Sequence, residues 1–224
     1  MRRSEINHLI INAIEFLDHM NFKLPEWSGW KPSDWKGKYE SCTGIIENML
    51  GWDLTDFGKG DFHRQGLILF TLRNGNPLRD RKPYAEKIMI VEEDQETPMH
   101  FHWSKMEDII NRGGGNLVME LYKSDVGEDF SREDIQIRID GMNCTLAPGG
   151  QVILKPGESI CLEQGIYHRF YGEQGKGKVL VGEVSSVNDD NTDNRFTPPV
   201  GRFPEIIEDE DPVHLLASDY KNFV

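Results

Sequence analysis

Between His100 and Glu107 the chain places two histidines, a lysine and a glutamate within eight positions: His100, His102, Lys105 and Glu107. Residues two apart on an extended strand share a face, so both imidazoles point the same way. Glu107 follows at a distance that lets the chain turn and bring a carboxylate back to that face. Two neutral nitrogens and one oxygen converging on a point suit a divalent metal. His168, in GESICLEQGIYHRF, offers a fourth ligand. The plainer alternative is a solvent-facing histidine pair beside the glutamate that opens a helix.

Lys105 lies between the ligands and is a candidate acid/base group. Beside a dication its ammonium form is disfavoured by like charge, which suits a base near neutral pH. A lysine in a polar surface turn is the alternative. Glu183, in VLVGEVSS, shares a strand face with Val181 and Ser185. It either faces the cavity as a second acid/base group or faces solvent, and Glu205 is its reserve. Asp190, Asp193 and Arg195, in the segment NDDNTDNR, are candidate hydrogen-bonding partners for a polar substrate, or else only build a loop. His8, His19 and His214 read as surface or packing residues, and nothing in the spacing of His63 requires it in a pocket.

These residues need a scaffold, and the chain carries the pattern of one. Residues 4–20 carry an apolar stripe, Ile6, Leu9, Ile10, Ala13, Ile14 and Leu17, predicting a helix capped by Ser4 and stopped by Asn21 and Pro25. Residues 41–50 predict a second helix, with Met49 and Leu50 inward and Gly51 ending it. Trp27, Trp30 and Trp35 sit in the loop 25–39, either pinning it to the core or a subunit partner or lining a sugar platform. Asp53–Asp61 reads as a turn-rich crossing. From Gly66 short β runs follow one another: Leu67–Leu72, Ala85–Val91, Met99–Trp103, Asn116–Tyr122, Ile135–Ile139, Met142–Leu146, Val152–Leu154, Ser159–Leu162, Tyr167–Tyr171 and Val179–Ser185. Many short strands at this spacing predict a sandwich or barrel. The acidic run EIIEDEDP reads as a solvated tail.

The 224 residues suit one large domain with appendages. The expected division is a single domain over 1–224, with 1–65 a helical extension and 187–224 a loop-rich one. A net charge of −13 argues against nucleic acid and anionic membranes. No apolar run reaches membrane-spanning length. Three scattered cysteines predict reduced thiols and a cytoplasmic location.

The histidine segments resemble the two motifs of the cupin superfamily. His100, His102, Glu107 and Gly114 match the first, H-x-H, three or four residues, E, six residues, G. Gly157, Gly165 and His168 match the second, with Glu163 where proline is usual. This implies a mainly β double-stranded β-helix barrel, here with N-terminal α-helices packed on it, and a metal inside. A more specific resemblance spans nearly the whole chain. LGWDLTDFG, FTLRNG, KPYAEKIMIV, PMHFHWSKMEDIINRGGGNLV, GEVSSVNDDNTDNRF and VGRFPEI look like the bacterial D-lyxose ketol-isomerase family. That resemblance implies interconversion of D-lyxose and D-xylulose, with D-mannose and D-fructose secondary, through a cis-enediol. It also implies Mn(II), with Co(II) and other divalent metals able to substitute, and a homodimer. A cupin dioxygenase and a non-catalytic sugar-binding cupin would use the same ligand set.

Overall fold

The computed structural model describes residues 1–76, 79, 81–187, 192–201 and 205–224. Among these, one long helix, α1 (Arg3–His19), precedes thirteen strands. They are β1 (Gly51–Thr55), β2 (Leu67–Arg73), β3 (Tyr84–Val91), β4 (His100–Phe101), β5 (Glu107–Gly114), β6 (Leu117–Lys123), β7 (Ile135–Ile139), β8 (Met142–Leu146), β9 (Gly150–Leu154), β10 (Ser159–Leu162), β11 (Ile166–Gly172), β12 (Val179–Ser186) and β13 (Arg195–Phe196). They form two antiparallel sheets, ordered β1-β2-β3-β12-β5-β10-β7-β8 and β13-β4-β11-β6-β9. The fold is therefore the mainly β, cupin-like barrel that the strand series predicts.

Alternation along the strands builds two cores. Met89 and Val91 of β3, Ile109 of β5, and Val179 and Val181 of β12 meet Leu117, Met119 and Leu121 of β6 and Phe170 of β11 inside the barrel. The opposite faces of β2, β3 and β12, through Ile68, Phe70, Ile88, Ile90 and Leu180, are covered by Ile6, Ile10, Ala13 and Leu17 of α1. Both faces of these strands are thus apolar, which explains near-continuous runs such as LILF and IMIV.

Gly113 and Gly114 have positive φ, +143° and +86°, and a Cβ on Gly114 would fall 2.2 Å from the Lys178 carbonyl. Only glycine lets the end of β5 close onto the start of β12 here. That places Glu107, at the other end of β5, beside Ser185 of β12.

Several local expectations are corrected. The second helix is a single turn, Thr43–Ile46; Met49 is exposed with positive φ, and Gly51 begins β1. Ser4 does not cap α1. Its backbone N–H and hydroxyl instead donate to Asp209 (3.0 and 2.8 Å), so an acidic tail residue caps the positive end of the helix. The tail is accordingly not a free solvated run: Ile207 bridges Arg2, and Asn7 donates to Glu210 and the Asp211 carbonyl. The tryptophan loop pins to its own chain. Trp27 packs on Phe70 (5.1 Å between rings), and buried Trp35 packs on Trp30 and on Tyr220 (5.0 and 4.8 Å).

Arg3 joins the two chain ends. It is 1 % exposed and forks onto Asp219 (3.0 and 3.0 Å) and Glu208 (2.8 and 2.7 Å). Arg3→Met would leave the buried Asp219 carboxylate without its counter-charge. A loss of about 3–5 kcal/mol in a urea melt is expected, and a loss under about 1 kcal/mol would mean the fork contributes only as an exposed pair does.

Candidate active site

His100 lies on β4, directly across from His168 on β11. His102 follows the end of β4, in the turn that leads to Lys105. Glu107 reaches the group from the facing sheet, as the first residue of β5. The ligand nitrogens of His100, His102 and His168 lie within 4.8 Å of one another. Glu107 Oε1 is 3.4 Å from His102 Nε2 and 3.1 Å from His168 Nε2. The four expected ligands therefore converge, although β4 is only two residues long rather than five.

Each Nδ1 contacts a main-chain carbonyl: His100 to Pro98 (2.8 Å), His102 to Asp193 (2.8 Å) and His168 to Ile166 (3.0 Å). A carbonyl only accepts, so Nδ1 carries the hydrogen and Nε2 presents its lone pair to the centre. Among the described residues, the buried side-chain polar atoms lacking any hydrogen-bond partner are His102 Nε2 and Glu107 Oε1. Two orphaned donor atoms aimed at one point, with two further imidazoles, fit a divalent cation.

Electrostatics agree. Burial, reinforced by the neighbouring His168 and His102, holds His100 well below the ordinary imidazole value. For Glu107 burial pushes upward, but the Lys105 ammonium, followed by the neighbouring His102, outweighs it. The carboxyl is held well below its usual range. The site thus favours a neutral His100 and an ionised Glu107, the protonation states in which these two groups bind metal.

Lys105 is 3 % exposed. Its Nζ lies 2.7 Å from Glu107 Oε2 and 3.1 Å from Glu183 Oε1. Glu183 is buried on β12 and faces the cavity, as its strand alternation allows; its Oε1 also accepts from Ser185 Oγ (3.0 Å). Lys87 of β3 is level with Glu183 in the register, and its Nζ is 3.3 Å from the same oxygen. Sequence reasoning missed Lys87. The signal was a charged residue on the inward face of YAEKIMIV, between Ala85 and Met89. The cavity holding these groups has apolar walls that include Leu69, Met89, Ile109 and Phe170, and Asn194 and Phe196 also line it.

The expected sugar-binding residues are placed differently. Asp190 lies outside the described residues. Asp193 is buried, and its carboxylate accepts from the backbone N–H groups of Ser104 (2.8 Å) and Lys105 (2.9 Å). Arg195 pairs with Glu128 (3.1 Å), which also accepts from Trp103 Nε1 (2.8 Å). Glu205 is exposed, and its main-chain carbonyl accepts from the Met1 ammonium (2.8 Å). None of Asp193, Arg195 and Glu205 is in the cavity wall.

Comparison with known proteins gives the arrangement its context. The model of a family described as D-lyxose isomerase matches residues 1–220. A D-lyxose/D-mannose isomerase of Serratia proteamaculans is 47% identical over 227 residues, covering 100% of both chains. One of Escherichia coli O157:H7 is 46% identical over 226 residues, again covering 100% of both. In fold, the chain is similar to the L-ribose isomerase of Cellulomonas parahominis, with a TM-score of 0.63 at 14% identity over 92% of this chain and 98% of that one. With a family match over nearly its whole length and relatives aligned end to end, the chain belongs to the D-lyxose isomerase family and is an aldose–ketose isomerase.

Proposed function

We propose that the enzyme interconverts D-lyxose and D-xylulose, and more slowly D-mannose and D-fructose, by a cis-enediol route. The observation that carries this is the pair of orphaned donors, His102 Nε2 and Glu107 Oε1, facing a cavity that also holds the Lys105–Glu183 pair. His100, His102, Glu107 and His168 would hold a divalent metal, Mn(II) by family resemblance. When bound, such a metal supplies Lewis-acid polarisation of the sugar oxygens at C1 and C2.

The chain's own groups manage the protons. Isomerisation takes a proton from C2 and returns one to C1, while a hydroxyl proton passes from O2 to O1. Lys105 Nζ takes and returns the carbon-bound proton. Glu183, within hydrogen-bond reach of that nitrogen, moves the hydroxyl proton. Lys87 and Ser185 hold the Glu183 carboxylate in place from β3 and β12. The apolar walls exclude water from the reacting carbons and strengthen each of these polar contacts. No helix among the described residues is long and apolar enough to cross a membrane. The reading includes a cytoplasmic homodimer, the location supported by three cysteines that form no disulfide and the dimer by the family resemblance.

Proton NMR of the Mn(II)-loaded enzyme with D-lyxose in heavy water tests this reading. D-Xylulose with deuterium entering at C1 is expected. Product without any deuterium would indicate hydride transfer, and no conversion of lyxose or mannose would reject the substrate assignment.

A further inference from the structure

We propose that Asp193 is a positioning residue that fixes the turn between His102 and Lys105, and not a group that touches the sugar. The inference rests on the metal and isomerase reading above. Three contacts carry it. The Asp193 carboxylate, 7 % exposed, accepts from two consecutive amides, Ser104 N–H at 2.8 Å and Lys105 N–H at 2.9 Å. Its own main-chain carbonyl takes the Nδ1–H of His102 at 2.8 Å. One residue thus grips three of the four positions from 102 to 105.

Each contact has a chemical consequence. The carbonyl fixes the His102 tautomer, leaving Nε2 as the lone-pair donor. The two carboxylate bonds are charge-assisted and set the Lys105 backbone. That backbone decides where Nζ lies, 2.7 Å from Glu107 and 3.1 Å from Glu183. The opposite side of the turn is held by the segment before His168: Gly165 N–H donates to the His102 carbonyl, and Gln164 Nε2 to the Ser104 carbonyl (both 3.0 Å). Without Asp193 the backbone of the turn would keep these two carbonyl contacts and lose the bonds to its amides. The segment that follows Asp193 is itself anchored, because β13 pairs with β4 and Arg195 pairs with Glu128. Segment 192–196 therefore acts as a strap across the ligand turn, which explains an acidic residue that is buried yet absent from the cavity wall.

Asp193→Asn presents one acceptor and one donor to two N–H donors, so at least one bond is lost. Three readouts on wild type and variant test the role. They are the Mn(II) dissociation constant by chelator competition without sugar, kcat and KM for D-lyxose at saturating Mn(II), and amide exchange at 104–105 in the metal-free protein. Expected are about 10–100-fold weaker Mn(II) binding, a lower kcat with KM changed by less than about threefold, and faster exchange. A raised KM with kcat and Mn(II) affinity unchanged would make Asp193 a sugar ligand and overturn the proposal, as would no change in any readout. If Asp193→Asn fails to fold, Asp193→Glu keeps the charge on a longer arm. It should shift Mn(II) affinity and kcat in the same direction and leave KM alone; wild-type values would overturn the proposal. Should wild type convert neither lyxose nor mannose, the substrate assignment falls while Mn(II) affinity and amide exchange still decide the role of Asp193. Should wild type not bind Mn(II), amide exchange alone decides it.

Discussion

Lys105→Met is expected to lower kcat by about 10³-fold, within the range that a positioned acid/base group supplies. Methionine fills nearly the same volume, so packing around the turn is preserved. What disappears is the ammonium that meets Glu107 at 2.7 Å and Glu183 at 3.1 Å. Lys87 remains 3.3 Å from Glu183, so that carboxylate keeps a counter-charge. Glu107 keeps its position beside His102 and His168, and the Mn(II) affinity should stay close to that of wild type. The discriminating measurement is kcat at saturating Mn(II) together with the Mn(II) dissociation constant. Loss of kcat with metal retained supports the proton-transfer role. Full activity in the variant would reject it and leave Glu183 to carry the chemistry with another partner.

Stripping metal with a chelator is expected to abolish turnover and lower the thermal midpoint, with Mn(II) restoring both. Metal that binds only the folded state at 100 times its dissociation constant adds about 2.7 kcal/mol. The stripped protein should also be acid-sensitive, for a reason specific to His100. Burial, followed by the influence of His168 and His102, holds that imidazole well below its ordinary value. An unfolded histidine takes up its proton near pH about 6.5. Between that pH and the lower folded value the unfolded chain binds more protons, so stability falls as pH falls. Glu107 acts in a separate, more acidic window, because its folded value lies well below the carboxylate range. Melts of the metal-free protein from pH 7.5 to 5 should therefore decline before Glu107 titrates. A flat profile would mean that His100 is readily protonated in the folded state, contrary to its enclosure by His102, His168 and Phe196.

The sequence alone pointed to the barrel, to the four residues that converge at the candidate metal centre, and to the reaction class. Inward and outward alternation is local, so the ten β runs expected between Leu67 and Ser185 end within a residue or two of observed strands, and Ile135–Ile139, Met142–Leu146 and Ser159–Leu162 match at both ends, but β5 (Glu107–Gly114) is not among them. The H-x-H…E and later histidine spacings carried the site, and long specific strings carried the family. Membership in the family selects the isomerase over the oxygenase and the non-catalytic binder. Other features stayed hidden. GWDLT looked like the approach to a turn, but β2 pairs with it along its whole length, from Gly51↔Thr71 to Thr55↔Leu67. Glu107 was expected to return its carboxylate to the histidine face after a turn, without a strand of its own, but β12 and β10 flank it as the first residue of β5. Lys87 became part of the site because β12 sets it level with Glu183, 96 positions later. Asp193 was legible as an acidic loop residue but not as the clasp of the ligand turn. Periodicity reports which face of its own strand a side chain takes. Which residue it meets across the barrel depends on the register of segments far apart in sequence, and that register is set only when both sheets close on a shared core.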